Sequence, residues 1–332
     1  MTTEKSNAPE VSIIIPAYNT AALIPECLKS VFAQTYADFE VIVVNDGSPD
    51  TPDLEKALAP YLSRIVYITQ QNKRAAGARN TAIRNAKGNF LAFLDSDDVW
   101  LPEHLVLQMN LFRQEPGLDL VYADAMVGDG QHSWRFMEKC PSRGEATFRA
   151  FVMEGCQIPV STVVARKSAI IRARMFDEDL KCYDDYDMWL RTAFYGGKIG
   201  YGRQVQARLS GKRPGSLSQS LPKLAEAYCL ILKKALQSLP LSSEDRAVLT
   251  NRLVESRATY QMEEAKLQLR SGQFGRAREL FREANLHFRR PEVNLAVFAL
   301  SVAPGTTYKL FETWTRIRYG GSTQSSHVQQ TF

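Results

Sequence analysis

Four short apolar runs, separated by helix-like segments, constrain the fold of this chain more than any other feature of its sequence. The runs are Val11–Ile15, Val41–Val44, Ile65–Ile68 and Phe90–Leu94. Each has four or five residues and little polar alternation, which is typical of strands buried on both faces of a parallel sheet. The alternation of strands with helices predicts βαβ units, and hence an α/β fold with a mostly parallel central sheet flanked by helices.

The segments between and after these runs have patterns of their own. Thr20–Phe32 carries its apolar residues on one side, and Gly77–Ala86 is followed by a glycine in the region of a C-cap. Further along, we predict a strand over Leu118–Val127, a strand entering a helix over Ser161–Ile170, and a helix over Asp184–Gly197 that ends at its glycine pair. This part of the chain is therefore expected to mix strands and helices.

The composition excludes several classes of protein. Hydrophobic residues make up 45% and charged residues 23%, as in ordinary globular proteins. No run of about 18 apolar residues is present, so no transmembrane helix is expected. The N-terminus lacks the apolar centre of a signal peptide, which predicts a disordered lead-in over residues 1–10. The five cysteines are scattered without CxxC spacing, which argues against disulfides and zinc and favours the cytoplasm.

Charge divides the chain into two parts. Residues 1–200 contain 21 Lys and Arg against 26 Asp and Glu, a net charge of −5. Residues 201–332 contain 20 against 10, a net charge of +10. Such a split predicts two segments with different roles. The basic segment suits anionic lipid, nucleic acid or phosphorylated substrates, and an ordinary solvated helical surface is an equal alternative.

A change in the residue pattern marks the predicted domain boundary. The pattern becomes helical from Leu221 onward, and the preceding ten residues have the composition of a loop. We therefore expect an α/β domain over residues 11–215 and an all-α C-terminal segment over residues 216–332. Within that segment, Gln261–Ala284 resembles one tetratricopeptide unit, although a generic helical hairpin uses the same small residues. The residues of that pattern are Ala265, Gly272, Phe274, Ala277, Phe281 and Ala284.

Polar residues follow the predicted strands where each one ends. They are Pro16–Asn19, Asn45–Ser48 and Asp95–Asp98. In open α/β sheets, ligands bind outside the carboxyl ends of the strands, so these residues predict a ligand site along one edge. The three close carboxylates of the last group suit a hard divalent cation, Mg²⁺ or Mn²⁺. The alternative is a solvated turn, or a helix start capped by Ser96 or Asp97.

Four stretches together resemble the family 2 glycosyltransferases, which have the GT-A nucleotide-sugar-binding fold. They are "VSIIIPAYNT", "VIVVNDGSPD", "GARNTAIRNAKGNFLAFLDSDDVWLPEHL" and "FDEDLKCYDDYDMWLRTA", in that family's order. The resemblance covers about two thirds of the chain and leaves the C-terminal segment outside. It implies a GT-A domain that transfers a sugar from a nucleotide-diphospho-sugar, with a UDP-sugar as the expected donor and Mn²⁺ or Mg²⁺ as cofactor.

The resemblance implies a nucleotide-binding role for residues after the first two strands and in the "ARN" motif. Pro16, Ala17 and Tyr18 would line the base pocket, and Asp46 would hydrogen-bond the base. Arg79 would lie by the nucleotide and its phosphates. The alternatives are a turn that begins at Asp46 and an exposed helix charge at Arg79.

The same resemblance assigns the acidic residues after the fourth strand. Asp95 would contact the ribose, Ser96 would belong to the nucleotide-sugar site and Asp97 would coordinate the metal. The metal would neutralise the negative charge that develops on the departing nucleoside diphosphate.

The stretch "YDDYDMW" would supply the catalytic base. Asp185 falls at the position of that base, with Asp184 as its neighbour and with Asp187 and Trp189 as supporting residues. The base would remove the proton of the acceptor hydroxyl, and a single displacement would invert the anomeric centre. The alternative is a helix N-terminus that favours negative charge.

The chain departs from the family pattern in three ways. Arg74 stands where the family commonly has glycine, and "RARMFDE" lacks the glycine pair that often precedes "FDE". The first change bears on the phosphate or sugar contact, and the second on the shape of the acceptor loop. No QxxRW motif is present, so we expect one sugar per encounter rather than processive synthesis.

Two further segments allow two interpretations each. The polar residues Arg213, Ser216 and Ser218 suit a loop that closes over the diphosphate, and a plain linker suits them equally. The aromatic and basic tail suits packing in a helical bundle, which we favour, or peripheral contact at the inner face of a membrane. Its residues are Phe298, Tyr308, Lys309, Phe311, Trp314, Arg316, Arg318 and Tyr319.

The acceptor is expected to be a glycan, a lipid-linked oligosaccharide or a protein, and no nucleic-acid partner is expected. A non-catalytic nucleotide-sugar-binding or partner-recruiting module is the main alternative. A nucleotidyltransferase is weaker, because no Gly-rich, Lys-containing phosphate loop follows the first strand. Release of UDP, of pyrophosphate or of neither distinguishes the three. The four histidines have no ligand spacing and are assigned no chemistry.

Overall fold

The computed structural model describes residues 8–128, 133–140, 146–211 and 221–319. By its contacts the chain divides into two compact units, Met1–Pro214 and Gly215–Phe332. Most of the predicted lead-in lies outside the described residues, as do Arg213, Ser216 and Ser218 of the predicted loop.

The first unit is built on one sheet, to which the described residues contribute nine strands. The strands are β1 (Val11–Ala17), β2 (Phe39–Asp46), β3 (Val66–Gln70), β4 (Phe90–Phe93), β5 (Val99–Trp100), β6 (Leu120–Gly128), β7 (Ser133–Arg135), β8 (Val164–Arg166) and β9 (Ile199–Leu209). Their order is β3-β2-β1-β4-β8-β6-β9-β5, and β7 pairs with β6. The first four strands run parallel, as do β6 and β9, whereas β8, β5 and β7 pair antiparallel.

Eight helices of the described residues belong to this unit. They are α1 (Ile24–Phe32), α2 (Thr51–Leu58), α3 (Arg74–Asn85), α4 (His104–Gln114), α5 (Phe136–Lys139), α6 (Phe148–Glu154), α7 (Lys167–Arg172) and α8 (Asp184–Phe194). The order of elements is that of an α/β domain, as the alternation of apolar runs and helical patterns predicts.

The central strands are covered on both faces, which explains their continuous apolar sequences. Ile13 of β1, Val43 of β2 and Ala92 of β4 belong to one core cluster with side chains of α1, α2 and α4. Phe93 of β4 instead packs against Trp189 of α8, with the ring centroids 5.8 Å apart. The sheet therefore positions α8 beside the end of β4.

The third apolar run differs from its prediction as a strand buried on both faces. β3 lies at the edge of the sheet, and Val66 is 39% exposed. An edge strand has a strand neighbour on one side only, so its side chains are less covered than those of β1 or β2.

The corner after α7 has the backbone of a glycine pair without any glycine. Arg174 has φ = 68° and Met175 has φ = 54°. Their N–H groups donate to the carbonyl oxygens of Ile171 and Ile170, both at 2.9 Å, in the pattern of a Schellman cap. A left-handed conformation costs a residue with a Cβ atom about 1–2 kcal/mol. The stretch "RARMFDE" therefore forms, without glycine, a cap that glycine most commonly forms.

Arg174→Gly is expected to stabilise the protein, because glycine adopts φ = 68° without a Cβ clash. After allowance for the greater entropy of glycine in the unfolded chain, the free energy of unfolding should rise by about 0.5–1 kcal/mol. Chemical denaturation followed by circular dichroism measures the change. Ser168→Gly, at an exposed position within α7, is the control and should lower that free energy by about 0.5 kcal/mol. A lower free energy of unfolding in Arg174→Gly would contradict the conclusion that the backbone of Arg174 is strained.

The second unit is helical throughout its described residues. The helices are α9 (Leu221–Ser238), α10 (Ser243–Arg270), α11 (Phe274–Phe288), α12 (Pro291–Val302) and α13 (Pro304–Tyr319). None of these described helices combines the length and the apolar character needed to cross a bilayer.

α10 and α11 pack against each other as a hairpin. Ala265, Ala277 and Ala284 are fully buried in the cluster between them, where small side chains allow close approach. Gly272 supplies the turn with φ = 77°. The resemblance to a tetratricopeptide unit remains a prediction for this one pair of helices.

Candidate active site

The carboxyl ends of β1, β2 and β4 meet at one edge of the sheet. β1 lies between the other two and parallel to both, with Ala17 opposite Asn45 and Ile14 opposite Phe93. Asp46 ends β2 and Asp95 comes two residues after β4, so both carboxylates lie at this edge. It is the edge at which the sequence predicts a ligand.

Asp46 is 2% exposed, and one of its carboxylate oxygens has no partner. Its Oδ1 accepts hydrogen bonds from Gln70 Nε2 at 2.7 Å and from the N–H of Lys73 at 2.8 Å. Its Oδ2 is buried without a hydrogen-bond partner among the described residues. Burial raises the pKa of Asp46, and the hydrogen bonds from Gln70 and Lys73 oppose that shift. A buried acceptor without a donor is unfavourable, so Oδ2 fits an N–H group of a ligand.

The residues at the end of β1 differ in what they can offer a ligand. Ala17 is fully buried in the core, so it presents no accessible surface to a ligand. Pro16 is half-buried and Tyr18 is 52% exposed, which leaves the tyrosine ring as the accessible side chain. Ser96 is buried, and its hydroxyl donates to Thr20 Oγ1 at 3.0 Å. Ser96 therefore joins the segment after β4 to the segment after β1.

Arg79 of α3 is a buried cation between two carboxylates from distant parts of the chain. Its side chain is 5% exposed, and its Nη2 and Nη1 atoms donate to Asp95 Oδ1 and Asp184 Oδ2, both at 2.6 Å. Burial alone would lower the pKa of Arg79, but the charges of Asp95, Asp184 and Asp185 outweigh it and raise that pKa. Arg79 thus joins the end of β4 to the start of α8. Its burial excludes the alternative of an exposed helix charge.

Asn80, the next residue, holds the segment that leads to α8. Its Nδ2 donates to the carbonyl oxygen of Phe176 at 2.8 Å, and its Oδ1 accepts from the N–H of Phe176 at 3.0 Å. Nδ2 also lies 3.0 Å from Glu178 Oε1. Arg79 and Asn80 therefore hold the two ends of the segment from Phe176 to Asp184.

Asp98 turns inward from the acidic cluster. It is 7% exposed, its Oδ2 accepts from the Ser161 hydroxyl at 2.5 Å, and its Oδ1 accepts from the N–H of Ser210 at 2.7 Å. Burial and the charges of Asp97 and Asp95 raise the pKa of Asp98 well above its usual range, against these hydrogen bonds. The shift favours the neutral acid, which removes part of the repulsion among the three carboxyl groups.

Asp97 is half-buried, and its Oδ2 accepts a hydrogen bond from the Ser210 hydroxyl. In the described part of the chain, no group of three or more His, Cys, Asp and Glu side chains could hold a metal ion. Mg²⁺ does not require such a group, because it binds to one or two carboxylates together with substrate phosphate oxygens. The carboxylate oxygens of Asp97 and Asp95, with the excess negative charge that raises the pKa of Asp98, fit a hard divalent cation.

The start of α8 presents a carboxyl group with a pKa near neutrality. Asp185 Oδ1 accepts from the N–H of Tyr186 at 2.8 Å. Burial, followed by the charge of Asp184, raises the pKa of Asp185 to about 7, although Arg79 opposes the shift. Tyr183, directly before the helix, has φ = 58°, so the turn into α8 is strained. A carboxyl group with such a pKa can accept a proton near pH 7, as a general base must.

Asp187 and Trp189 lie inside the domain, where they hold α8 in place. Asp187 Oδ2 accepts from Arg191 Nε at 2.9 Å and from Arg191 Nη2 at 2.6 Å. Trp189 is fully buried, with its ring 5.8 Å from that of Phe93 and 5.9 Å from that of Phe176. Its indole N–H has no hydrogen-bond partner within the described residues.

The structure brings six of the residues that the sequence singles out into one cluster. Those that interact directly or through their charges are Arg79, Asp95, Asp97, Asp98, Asp184 and Asp185. Sequence analysis missed Asn80, Ser161 and Ser210, which hold them in place. Asn80 is part of the quoted "ARN" motif, whereas Ser161 and Ser210 lie 63 and 112 residues from Asp98, and no local pattern links them.

Arg79→Met should destabilise the protein strongly, because it leaves Asp95 and Asp184 without their buried counter-charge. We expect the free energy of unfolding at pH 7 to fall by about 3–5 kcal/mol, and by less at pH 5, where the carboxylates can protonate. Chemical denaturation at the two pH values measures both effects. The control is Arg84→Met, on the same helix as Arg79, which breaks an exposed ion pair with Glu178. It should lower the free energy of unfolding by less than about 1 kcal/mol. Equal losses of unfolding free energy in the two variants would contradict the role of Arg79 as a buried counter-charge.

Comparison with known proteins gives a sequence family and several relatives. The family model described as glycosyl transferase family 2 matches residues 12–178, which is about half of the chain. An uncharacterized glycosyltransferase of Rickettsia typhi is 32% identical over 197 residues, 57% of this chain and 60% of the relative. The match thus spans less than two thirds of that relative's length. WfgD of Escherichia coli, a UDP-Glc:alpha-D-GlcNAc-diphosphoundecaprenol beta-1,3-glucosyltransferase, is 33% identical over 181 residues, 54% of this chain and 68% of the relative.

Solved structures with the same fold cover both parts of the chain. TarS 1-349 from S. aureus has a TM-score of 0.60 at 18% identity and covers 96% of this chain and 94% of its own. The mannosyltransferase PcManGT from Pyrobaculum calidifontis, solved with GDP-Man and Mn²⁺, has a TM-score of 0.57 at 19% identity, with coverage of 93% and 84%. At these identities the likeness concerns the fold, and it confirms the predicted GT-A domain followed by a helical segment.

Proposed function

Because the chain belongs to glycosyl transferase family 2, as its sequence resemblance predicts, we propose that it transfers a sugar from a nucleotide-diphospho-sugar to an acceptor hydroxyl with inversion. The observation that carries the proposal is Asp185. Its carboxyl group has a pKa of about 7 and lies within the electrostatic reach of Arg79 and Asp95, beside the edge where Asp46 ends β2. One edge of the sheet thus offers a base beside a cluster of nucleotide-binding candidates.

Asp46 supports a uridine nucleotide as the donor. Its unpartnered Oδ2 can only accept a hydrogen bond when ionised, so it favours a base with a ring N–H. Uracil has such a group, whereas cytosine and adenine have a bare ring nitrogen at the corresponding place. Guanine also has a ring N–H, but the E. coli relative is named for UDP-Glc, which favours uridine. The exposed ring of Tyr18 would stack near the base and the half-buried Pro16 would line the pocket, while the buried Ala17 between them anchors the end of β1 in the core.

The ribose and the diphosphate would lie between Asp46 and Asp97. The Asp95 carboxylate, with 32% of its side chain exposed, would accept a ribose hydroxyl, while Arg79 keeps that carboxylate in place. Asp97 would hold Mn²⁺ or Mg²⁺ together with diphosphate oxygens. The bound cation would neutralise the negative charge of the leaving diphosphate, and the complex of PcManGT with GDP-Man and Mn²⁺ supports this role.

Asp185 would act as the general base. The acceptor oxygen attacks the anomeric carbon, its proton passes to the Asp185 carboxylate, and the bond from that carbon to the diphosphate oxygen breaks. The bonding electrons leave with the nucleoside diphosphate, and attack from the opposite face inverts the anomeric centre. Arg79, which pairs with Asp184, would hold the start of α8 in position beside the sugar.

The acceptor would be a hydroxyl of a glycan, of a lipid-linked oligosaccharide or of a protein. The E. coli relative is named for an acceptor linked to diphosphoundecaprenol, which favours a lipid-linked glycan among the three. An enzyme that uses such an acceptor would work in the cytoplasm at the inner face of a membrane, and it would add one sugar per encounter.

Turnover should depend on pH through Asp185. Because burial raises its pKa to about 7, the carboxyl group is mostly protonated below pH 7 and is a competent base only above it. This pKa belongs to the ligand-free enzyme, so we expect kcat/KM to be about tenfold lower at pH 6 than at its plateau near pH 8. Release of UDP, followed from pH 5.5 to 8.5, measures this profile. A kcat/KM that stays constant between pH 6 and pH 8 would contradict a base with this pKa.

Donor binding and catalysis should separate in two variants. Asp97→Ala should remove the Mn²⁺-dependent part of the rise in melting temperature that a UDP-sugar produces, while Asp185→Asn keeps that rise. Asp185→Asn should lower kcat by about 10²–10⁴-fold. Thermal-shift measurements of nucleotide sugars with and without Mn²⁺, and assays of UDP release, test both variants. Asp53→Ala, at an exposed position on α2, is the control for both readouts. Full activity of Asp185→Asn would exclude it as the base, and release of pyrophosphate would exclude sugar transfer.

A further inference from the structure

α12 is apolar around its whole circumference, but only one side of it is packed. Eight of its twelve residues are Ala, Val, Leu or Phe. Leu300 is buried in the core of the second unit, where Val293 and Val297 pack against it. A helix that is apolar all round normally lies buried within protein or lipid, so the other side of α12 requires a partner.

The other side of α12 presents a continuous row of large apolar side chains, which we call the apolar face. It consists of Leu295, Phe298 and Val302, which are 69%, 66% and 69% exposed. Their spacing of three and four residues places them on one side of the helix. Leu310, early in α13, is 67% exposed as well. Single exposed apolar residues are ordinary, whereas a row of this kind marks an interaction surface.

The surroundings of the apolar face are basic. Arg289 and Arg290 are exposed directly before α12, and Lys309 is exposed beside Leu310. Arg278 of α11 reaches α12, where its Nη1 lies 3.5 Å from Ser301 Oγ. From the start of α11 to the end of α13 the sequence has eight Lys and Arg against four Asp and Glu, a net charge of +4.

We infer that the apolar face docks on the surface of an anionic phospholipid bilayer. Twelve residues of helix extend about 18 Å, which is shorter than the hydrocarbon core of about 30 Å, so α12 would lie along the interface rather than cross it. The aliphatic and aromatic side chains would enter the acyl boundary, and the neighbouring arginines and Lys309 would meet the anionic headgroups. A second copy of this chain is a poorer occupant, because two faces of the same positive charge would repel each other.

This inference stands apart from the sugar-transfer proposal, because it needs neither donor nor acceptor. The test is co-sedimentation of the full chain with vesicles of phosphatidylglycerol and phosphatidylcholine, and with vesicles of phosphatidylcholine alone. We expect the protein to pellet with the anionic vesicles and to be released as NaCl rises from 50 to about 500 mM, because salt screens the headgroup contacts. Equal binding to neutral vesicles, or no binding at low salt, would overturn the inference.

Matched substitutions locate the binding surface. Phe298→Glu should lower the vesicle partition coefficient by at least about tenfold, because it places a negative charge in the acyl boundary and removes a ring from it. Val254→Glu adds the same charge at a 50% exposed position on α10 and should change the coefficient by less than about twofold. Equal effects of the two variants would exclude the apolar face. The donor-induced thermal shift should be unchanged in Phe298→Glu, which separates failure of this inference from failure of the sugar-transfer proposal.

Sedimentation velocity without vesicles tests whether a second copy of the chain covers the apolar face instead. The wild-type chain and Phe298→Glu should sediment as the same species. A wild-type dimer that Phe298→Glu dissociates would assign the apolar face to a second copy and overturn membrane docking. Circular dichroism of both glutamate variants verifies that the helices remain folded, so that a loss of vesicle binding reports a change of the binding surface.

The combined variant R289Q/R290Q, which leaves the apolar face intact, should bind anionic vesicles at least about threefold more weakly than wild type. Unchanged binding would contradict the proposed contacts between these arginines and the anionic headgroups.

Discussion

A single buried guanidinium group organises the candidate active site. Arg79 pairs with Asp95 from the end of β4 and with Asp184 from the start of α8, two elements that are about 90 residues apart in the sequence. Removing these charges from water is unfavourable unless each is neutralised by a partner. The two ion pairs therefore form only when α3, the end of β4 and the start of α8 are all in their native positions. The correct assembly of the fold is thus a condition for the correct charge at the site.

The electrostatics of the site follow from this arrangement. Arg79 lies close enough to oppose the rise in the pKa of Asp185, but burial and the neighbouring Asp184 still bring that pKa to about 7. On the other side, burial and the charges of Asp97 and Asp95 raise the pKa of Asp98 against the hydrogen bonds from Ser161 and Ser210, and the neutral acid reduces the negative charge there. Neighbouring carboxyl groups of the same chemical type can therefore differ in protonation, because each has a different environment.

The sequence predicts the elements of this protein better than the contacts between them. Continuous apolar runs identify β1, β2 and β4, because strands covered on both faces need no polar alternation, and the acidic stretches mark the edge where those strands end. The exposure of β3 was not predictable, since an apolar run does not reveal whether its strand lies at an edge. Ser210 joins Asp98 across 112 residues, and the path of the corner at Arg174 is set by hydrogen bonds rather than by glycine. The Ser210 contact is tertiary, so no local pattern reveals it, and the cap at Arg174 is local but lacks the glycine by which such caps are recognised.

The corner at Arg174 and Met175 also bears on how such a sequence can diverge. Its course is secured by main-chain bonds to Ile170 and Ile171, and Asn80 grips Phe176 just beyond it. The two side chains there can consequently be exchanged for others, or lost, while the route of the polypeptide toward α8 stays the same. The position of the acidic helix start thus depends on the main chain of this corner more than on its side chains.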